Sequence, residues 1–98
     1  MSSPKRRLEL SYQAQKDFRD ILSYTLSNWG EAQLAKYRAG IDDALRVILL
    51  NPAAGRPSVK PTLKVLPVGH HRIFFRTTEG TICIVRILHK RMDTSRHL

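Results

Sequence analysis

Apolar and polar residues alternate near the start of the chain. Leu8, Leu10 and Tyr12 interleave with Arg7, Glu9 and Ser11, the period of two that marks a half-buried strand. From Ala14 the period lengthens. Ala14, Phe18, Ile21, Leu22 and Trp29 fall at helical spacing, with Gln15, Lys16, Arg19, Asp20 and Ser23 on the other side. Trp29 reads as a core residue at the helix end and Gly30 as the stop. A second helix is predicted from about Glu31 to Leu50, with the stripe Leu34, Tyr37, Ile41, Ala44, Leu45, Ile48 and Leu49. Gly40 inside it costs ~1 kcal/mol relative to Ala, which makes sense if the two helices approach closely there. Asn51-Pro52 ends the helix, because proline disfavours helical geometry at the residue before it. The short link Trp29-Gly30-Glu31 makes the helices antiparallel neighbours. Their shared apolar face needs a sheet to cover.

The second half of the chain supplies strands. Residues 51–61 hold three prolines and a glycine, which predicts a loop. Leu63 to Val68 is strand-like, but Pro67 confines it to an edge or a strand end. Gly69-His70 fits a tight turn. His71 to Thr77 alternates again, with Ile73 and Phe75 on one face and Arg72, Phe74 and Arg76 on the other. Glu79-Gly80 is a hairpin turn. Thr81 to Leu88 is apolar on both faces and therefore central. A basic tail begins at about residue 89. The predicted class is α+β: an N-terminal strand, an antiparallel two-helix hairpin, then a three-stranded antiparallel meander, with the helices on one sheet face.

Composition narrows this picture. The 98 residues fit one domain, expected over 7–98 behind a flexible basic lead of residues 1–6. Lys and Arg number 17 against 8 Asp and Glu, a net charge of +9. That excess calls for a polyanionic partner, either nucleic acid or an acidic protein; the plain alternative is a basic surface kept for solubility. Cys83 lies in the apolar run Ile82-Cys83-Ile84-Val85 and reads as a buried structural thiol. No apolar stretch follows the charges of Met1 to Arg7, so a signal peptide is not expected. The longest apolar runs are too short for a bilayer. These features predict a cytoplasmic protein.

Several motifs, in their order and spacing, resemble the ParE branch of the RelE/ParE toxin superfamily. They are Trp29-Gly30 with Gln33, Tyr37 and Ile41; Asn51-Pro52 followed by Gly55-Arg56; His71-Arg72-Ile73-Phe74-Phe75-Arg76; and Ile84-Val85-Arg86-Ile87-Leu88-His89, closing with Arg91-Met92-Asp93. The resemblance implies a toxin of a type II toxin–antitoxin module that inhibits DNA gyrase, blocks replication and serves plasmid maintenance. It implies neutralisation by a smaller, acidic, ParD-like antitoxin. The alternative, from the RelE cousins, is a ribosome-dependent mRNA endoribonuclease. No cofactor is implied.

The candidate residues divide accordingly. A ribonuclease needs an acid, a base and cations for the phosphate, for which the chain offers Arg72, Arg76, Arg86 and His89. Its three tyrosines, Tyr12, Tyr24 and Tyr37, all lie early in the chain, whereas the cutting cousins typically place a Tyr or His near the C-terminus. His89 and His97 lie there, so acid–base parts are present; the reading adopted is nevertheless non-enzymatic, with no catalytic residue, mostly because the tail resembles the ParE type. The resemblance points to the tail, Lys90, Arg91, Met92, Asp93 and Arg96, for target binding. Arg72, Phe74 and Arg76 on one strand face are the candidate antitoxin contacts, or simply a solvated face. Arg86 interrupts an apolar strand, and an unpaired buried guanidinium is very costly. It needs a carboxylate, either Asp93 or an acid on a helix. His89 suits a capping role. Glu31, Asp42 and Asp43 belong to the outer face of the second helix. His70-His71 has no companion ligand cluster, so no metal site is expected.

Overall fold

The computed structural model describes residues 6–98; most of the expected flexible lead, residues 1–5, lies outside them. Strand β1 spans Arg7–Leu10. Helix α1 covers Tyr12–Leu50, followed by a 3-10 turn at Pro52–Ala54. Strands β2 (Arg56–Pro57), β3 (Lys64–Val68), β4 (His71–Thr78) and β5 (Thr81–His89) come next, and the short helix α2 occupies Thr94–His97. The strands form one sheet in the order β1-β5-β4-β3-β2.

The helical region is one run rather than two helices with a linker. It is broken at Gly30 alone, where φ is 86° and ψ is 178°, a conformation essentially reserved for glycine. A straight helix of 39 residues would measure about 58 Å, more than the 46 Å longest dimension of the molecule. The break therefore bends the run into two arms, 12–29 and 31–50. Both arms feed one core. Ala14 and Ile21 from the first join Ile41, Ala44, Leu45 and Ile48 from the second, against Ile73, Phe75, Ile82, Ile84 and Ile87 of the sheet. Gly40 has open space where a Cβ would stand, so it is not the point of close approach. Beyond Thr25 the first arm buries nothing, and the second buries nothing before Ile41. The tip thus projects past the core, and Trp29 is 69% exposed rather than part of the interior.

Tyr12 does not extend β1. Ser11 turns the chain instead: its hydroxyl accepts from Ala14 N–H (3.0 Å) as a helix N-cap and donates to Val85 O (2.7 Å). Tyr12 becomes the first helical residue, 75% exposed.

The expected three-stranded meander is the middle of a larger, mixed sheet. β3, β4 and β5 are antiparallel, but β1 runs parallel to β5, with Arg7 opposite Thr81 and Leu10 opposite Ile84. β5 is thereby central, as its two-sided apolarity requires. β2 adds two residues that pair only with Lys64 and Val65. Beyond them β3 has no outer neighbour, which is where Pro67 can sit without losing a ladder hydrogen bond. Gly55, just before β2, lies against the Phe75 ring: an added Cβ would come within 2.4 Å of it.

The face away from α1 carries a second, smaller core. Leu63, Phe74 and Leu88 are buried there, with Val65, Val85 and Leu98 against them. Cys83 also faces this side, in register with Arg76, and is half-buried rather than enclosed.

Gly30→Ala is expected to destabilise the fold by about 1–3 kcal/mol, since a side chain at this φ is strained. Urea unfolding midpoints of the two proteins measure the difference.

Candidate functional site

Three groups of functional side chains emerge, and each depends on β5. The first is Arg86. The β4–β5 register shifts between Phe74, opposite Arg86, and Phe75, opposite Ile84, leaving Val85 as the extra residue of a bulge. At this bulge Arg86 forms a two-pronged pair with Asp17 of α1, Nε to Oδ2 at 2.8 Å and Nη2 to Oδ1 at 2.9 Å. Both side chains are largely enclosed, 17% and 13% exposed. Asp17 Oδ2 also accepts from Ile87 N–H at 3.0 Å, just beyond the end of β1. Hydrogen bonding to Asp17 raises the Arg86 pKa further above its ordinary value. The guanidinium is thus structural, and its partner is a helix acid. Asp93 is occupied elsewhere, capping α2 through Ser95 N–H (3.1 Å). Asp17 was legible in principle: it lies three residues after Ala14 and four before Ile21, on the margin of the buried stripe.

The second group lies on the face away from α1. Arg72 and Arg76 are both exposed and four residues apart on β4, about 13 Å along the strand. Among the described residues neither has a carboxylate partner. Phe74 between them is 2% exposed, because the second core has absorbed most of it. Arg72 and Phe74 instead floor a cavity of about 210 Å³ walled by Val59, Val65 and Thr94. The tail folds over this face. Arg86 Nη1 donates to His97 O (3.1 Å), Lys60 Nζ donates to Leu98 O (3.2 Å), and Leu98 enters the second core. Of the tail residues proposed for target binding, Lys90, Arg91, Met92, Asp93 and Arg96 are all exposed. Arg96 approaches Asp93 at 3.8 Å.

The third group closes the sheet end where β4 begins and β5 finishes. His71 and His89 are in register, their ring centroids 5.2 Å apart and edge-on at 84°. The Tyr37 hydroxyl from the second arm hydrogen-bonds His71 Nδ1 and accepts from His70 N–H at 3.2 Å. Burial pushes the His71 pKa down to about 4, helped by His89 and His70 and opposed by Asp17. The His89 pKa is also lowered, by desolvation first and then by Arg91, His70 and Lys90. Burial raises the Tyr37 pKa. The sequence stripe had marked Tyr37 only as a core position.

The four ribonuclease candidates do not converge. Arg86 is committed to Asp17. His89 shares the helix side of the sheet with His71 and Tyr37, whereas Arg72 floors the opposite face. Among the described residues no group of three or more His, Cys, Asp or Glu is placed to hold a metal ion, and no helix is long and apolar enough to cross a membrane.

This fold is that of the RelE/ParE toxins. The chain superposes on a structure described as the chromosomal ParDE system of Pseudomonas aeruginosa with a TM-score of 0.77 at 24% identity, over 89% of this chain and 98% of that one. A toxin–antitoxin complex of Mycobacterium tuberculosis, RelBE2, matches with a TM-score of 0.61 at 17% identity, over 87% and 98% of the two chains. Sequence places it within that class: residues 8–94 match the family described as ParE toxin of type II toxin-antitoxin system, parDE, and the chain belongs to that family. It is 38% identical over 95 residues to a protein named Toxin ParE1 from Mycobacterium tuberculosis, covering 94% of this chain and 97% of the relative. It is 31% identical over 87 residues to Toxin ParE of Escherichia coli, covering 86% and 84%.

Asp17→Ala should cost about 3–5 kcal/mol, because it strands an enclosed guanidinium. The double variant Asp17→Leu/Arg86→Met should recover much of that loss in denaturant unfolding. Acid should also weaken the fold. The unfolded His71 takes up a proton near its ordinary pKa of 6.5, whereas the folded residue resists until about 4. Stability linked to the neutral ring is present above pH 6.5 and falls as pH drops through that window. His71→Asn should flatten this part of the stability–pH curve.

Proposed function

We propose that this ParE-family toxin arrests growth by binding DNA gyrase and blocking replication, without covalent chemistry of its own. It would act in the cytoplasm and be held silent by an acidic, ParD-like antitoxin. The observation that carries the non-enzymatic reading is the commitment of Arg86 to Asp17. Together with the separation of His89 from Arg72 and Arg76 on opposite faces, it keeps the four ribonuclease candidates from meeting at one point. Family membership supports the toxin assignment, and the exposed tail residues 90–93 and Arg96 are the proposed target contacts.

The antitoxin reading rests on charge and shape. The chain carries +9, and Arg72 and Arg76 hold no carboxylate among the described residues. An acidic segment crossing this face would lower an apolar side chain into the cavity above Phe74 and set a carboxylate on Arg72. Arg72 and Arg76 remain the proposed contacts, with Phe74 serving as the cavity floor. Electrostatic attraction of this kind chiefly accelerates encounter and sets specificity.

Purified toxin added to gyrase and relaxed plasmid should inhibit supercoiling or accumulate linear DNA, and the antitoxin should reverse the effect. Absence of any effect at excess toxin would reject the gyrase reading. Codon-dependent mRNA cuts in a translating extract, abolished by His89→Ala, would transfer support to the ribonuclease alternative.

A further inference from the structure

The histidines at the sheet end have no part in the reading above, yet their hydrogen bonds fix where their protons lie. Arg91 N–H donates to His89 Nδ1 at 3.1 Å. A nitrogen that accepts carries no proton, so neutral His89 bears its hydrogen on Nε2. The Tyr37 hydroxyl has one proton and two possible acceptors, Val68 O at 3.4 Å and the closer His71 Nδ1. Donation to the closer acceptor makes neutral His71 likewise an Nε2–H tautomer, an assignment that side-chain nitrogen NMR reads directly. Among the described residues neither Nε2 has a partner, and no side-chain nitrogen or oxygen is buried without one. Both N–H groups therefore meet solvent.

The surroundings are cationic. His70 lies roughly parallel to His89 with centroids 6.3 Å apart. Lys90 N–H donates to His70 O at 2.8 Å, tying the two turns together. Lys90 and Arg91 are exposed beside them, and both raise the local positive potential felt by His89. Among the described residues the carboxylate that acts on His71 is Asp17, and Asp17 is spent on Arg86.

We infer that this sheet end is an anion site, in which the Nε2–H groups of His71 and His89, backed by Lys90 and Arg91, bind a phosphate group. A phosphate suits the geometry better than a carboxylate does. The rings stand 84° apart, so their in-plane N–H groups lie in nearly perpendicular planes. Tetrahedral phosphate oxygens accept from such directions, whereas carboxylate lone pairs lie in one plane. The phosphate is either free or part of a nucleic-acid backbone. The site is separate from the face bearing Arg72 and Arg76, and it does not depend on gyrase being the target.

The test is histidine side-chain nitrogen NMR on the folded toxin, titrated separately with inorganic phosphate, a single-stranded oligonucleotide and a glutamate-rich peptide. Without ligand, His71 and His89 should both show the Nε2–H pattern. Phosphate should shift both residues saturably. Lys90→Ala/Arg91→Ala should weaken binding by about tenfold or more without lowering the melting temperature, whereas Arg76→Ala on the far face should leave it unchanged. A tighter response to the oligonucleotide than to phosphate identifies a nucleic-acid backbone as the source; an equal response identifies free phosphate. An Nδ1–H tautomer at either residue, no saturable shift with phosphate or oligonucleotide, or a response to the peptide alone would overturn the assignment.

Discussion

A guanidinium inside an apolar central strand has to be answered, and the way Asp17 answers Arg86 organises much of the molecule. Desolvating both charges is costly, and the pair compensates only through near-ideal geometry and satisfied hydrogen bonds. Here two parallel N–H···O contacts meet that demand. The same carboxylate takes the amide of Ile87, at the margin of β5 that β1 no longer covers. One side chain therefore neutralises a charge, satisfies a strand edge and anchors the first helical arm across the sheet. The remaining prong of Arg86 holds the carbonyl of His97, so the tail is secured to the same point. Removing Asp17 would loosen contacts on both sides of the sheet at once.

The two faces of the sheet serve different ends. One is sealed by the helical arms, with isoleucines from both arms and two strands at its centre. The other is covered only by Leu63, the tail and a few half-buried residues, leaving arginines beside a small cavity. The bulge at Val85 reconciles them. By adding one residue to β5 it lets Ile84 and Ile87, three apart, both face the helices, while Val85 and Leu88 face the other way. Function is accordingly sought on the thinly covered face and at the strand ends.

Local patterns in the sequence carried most of the elements. Alternation marked β4 and β5, proline at position 67 marked a place without an outer neighbour, and Arg86 announced the need for an acid. What escaped was non-local. Nothing near Leu8 says that its strand lies parallel to residues 81–84, since that pairing is decided by the whole sheet. Trp29 has the period of a core residue but lies beyond the sheet, where there is nothing to cover it. Asp17 is indistinguishable by type from the solvated Asp20; only its place beside the buried stripe separates them. Phe74 alternated onto the expected face, yet tail and loop closed over it. Tyr37 matched the helix stripe while its hydroxyl, reaching the His70-His71 turn, is what organises that corner.

The adjacency of β1 and β5 has a consequence for biosynthesis. The first strand finds its hydrogen-bonding neighbour 74 positions later, at Arg7 opposite Thr81, and such distant closures are slow, because chain entropy is lost before contacts compensate for it. Until β5 emerges, β1 has no strand to pair with and the helical arms have only β3 and β4 against which to settle. A ribosome-bound chain lacking β5 is therefore an unfinished poison. Both the basic face and the histidine corner come into being only when the segment through His89 is free to insert between β1 and β4. A partner that engages the finished sheet would have no template before that moment.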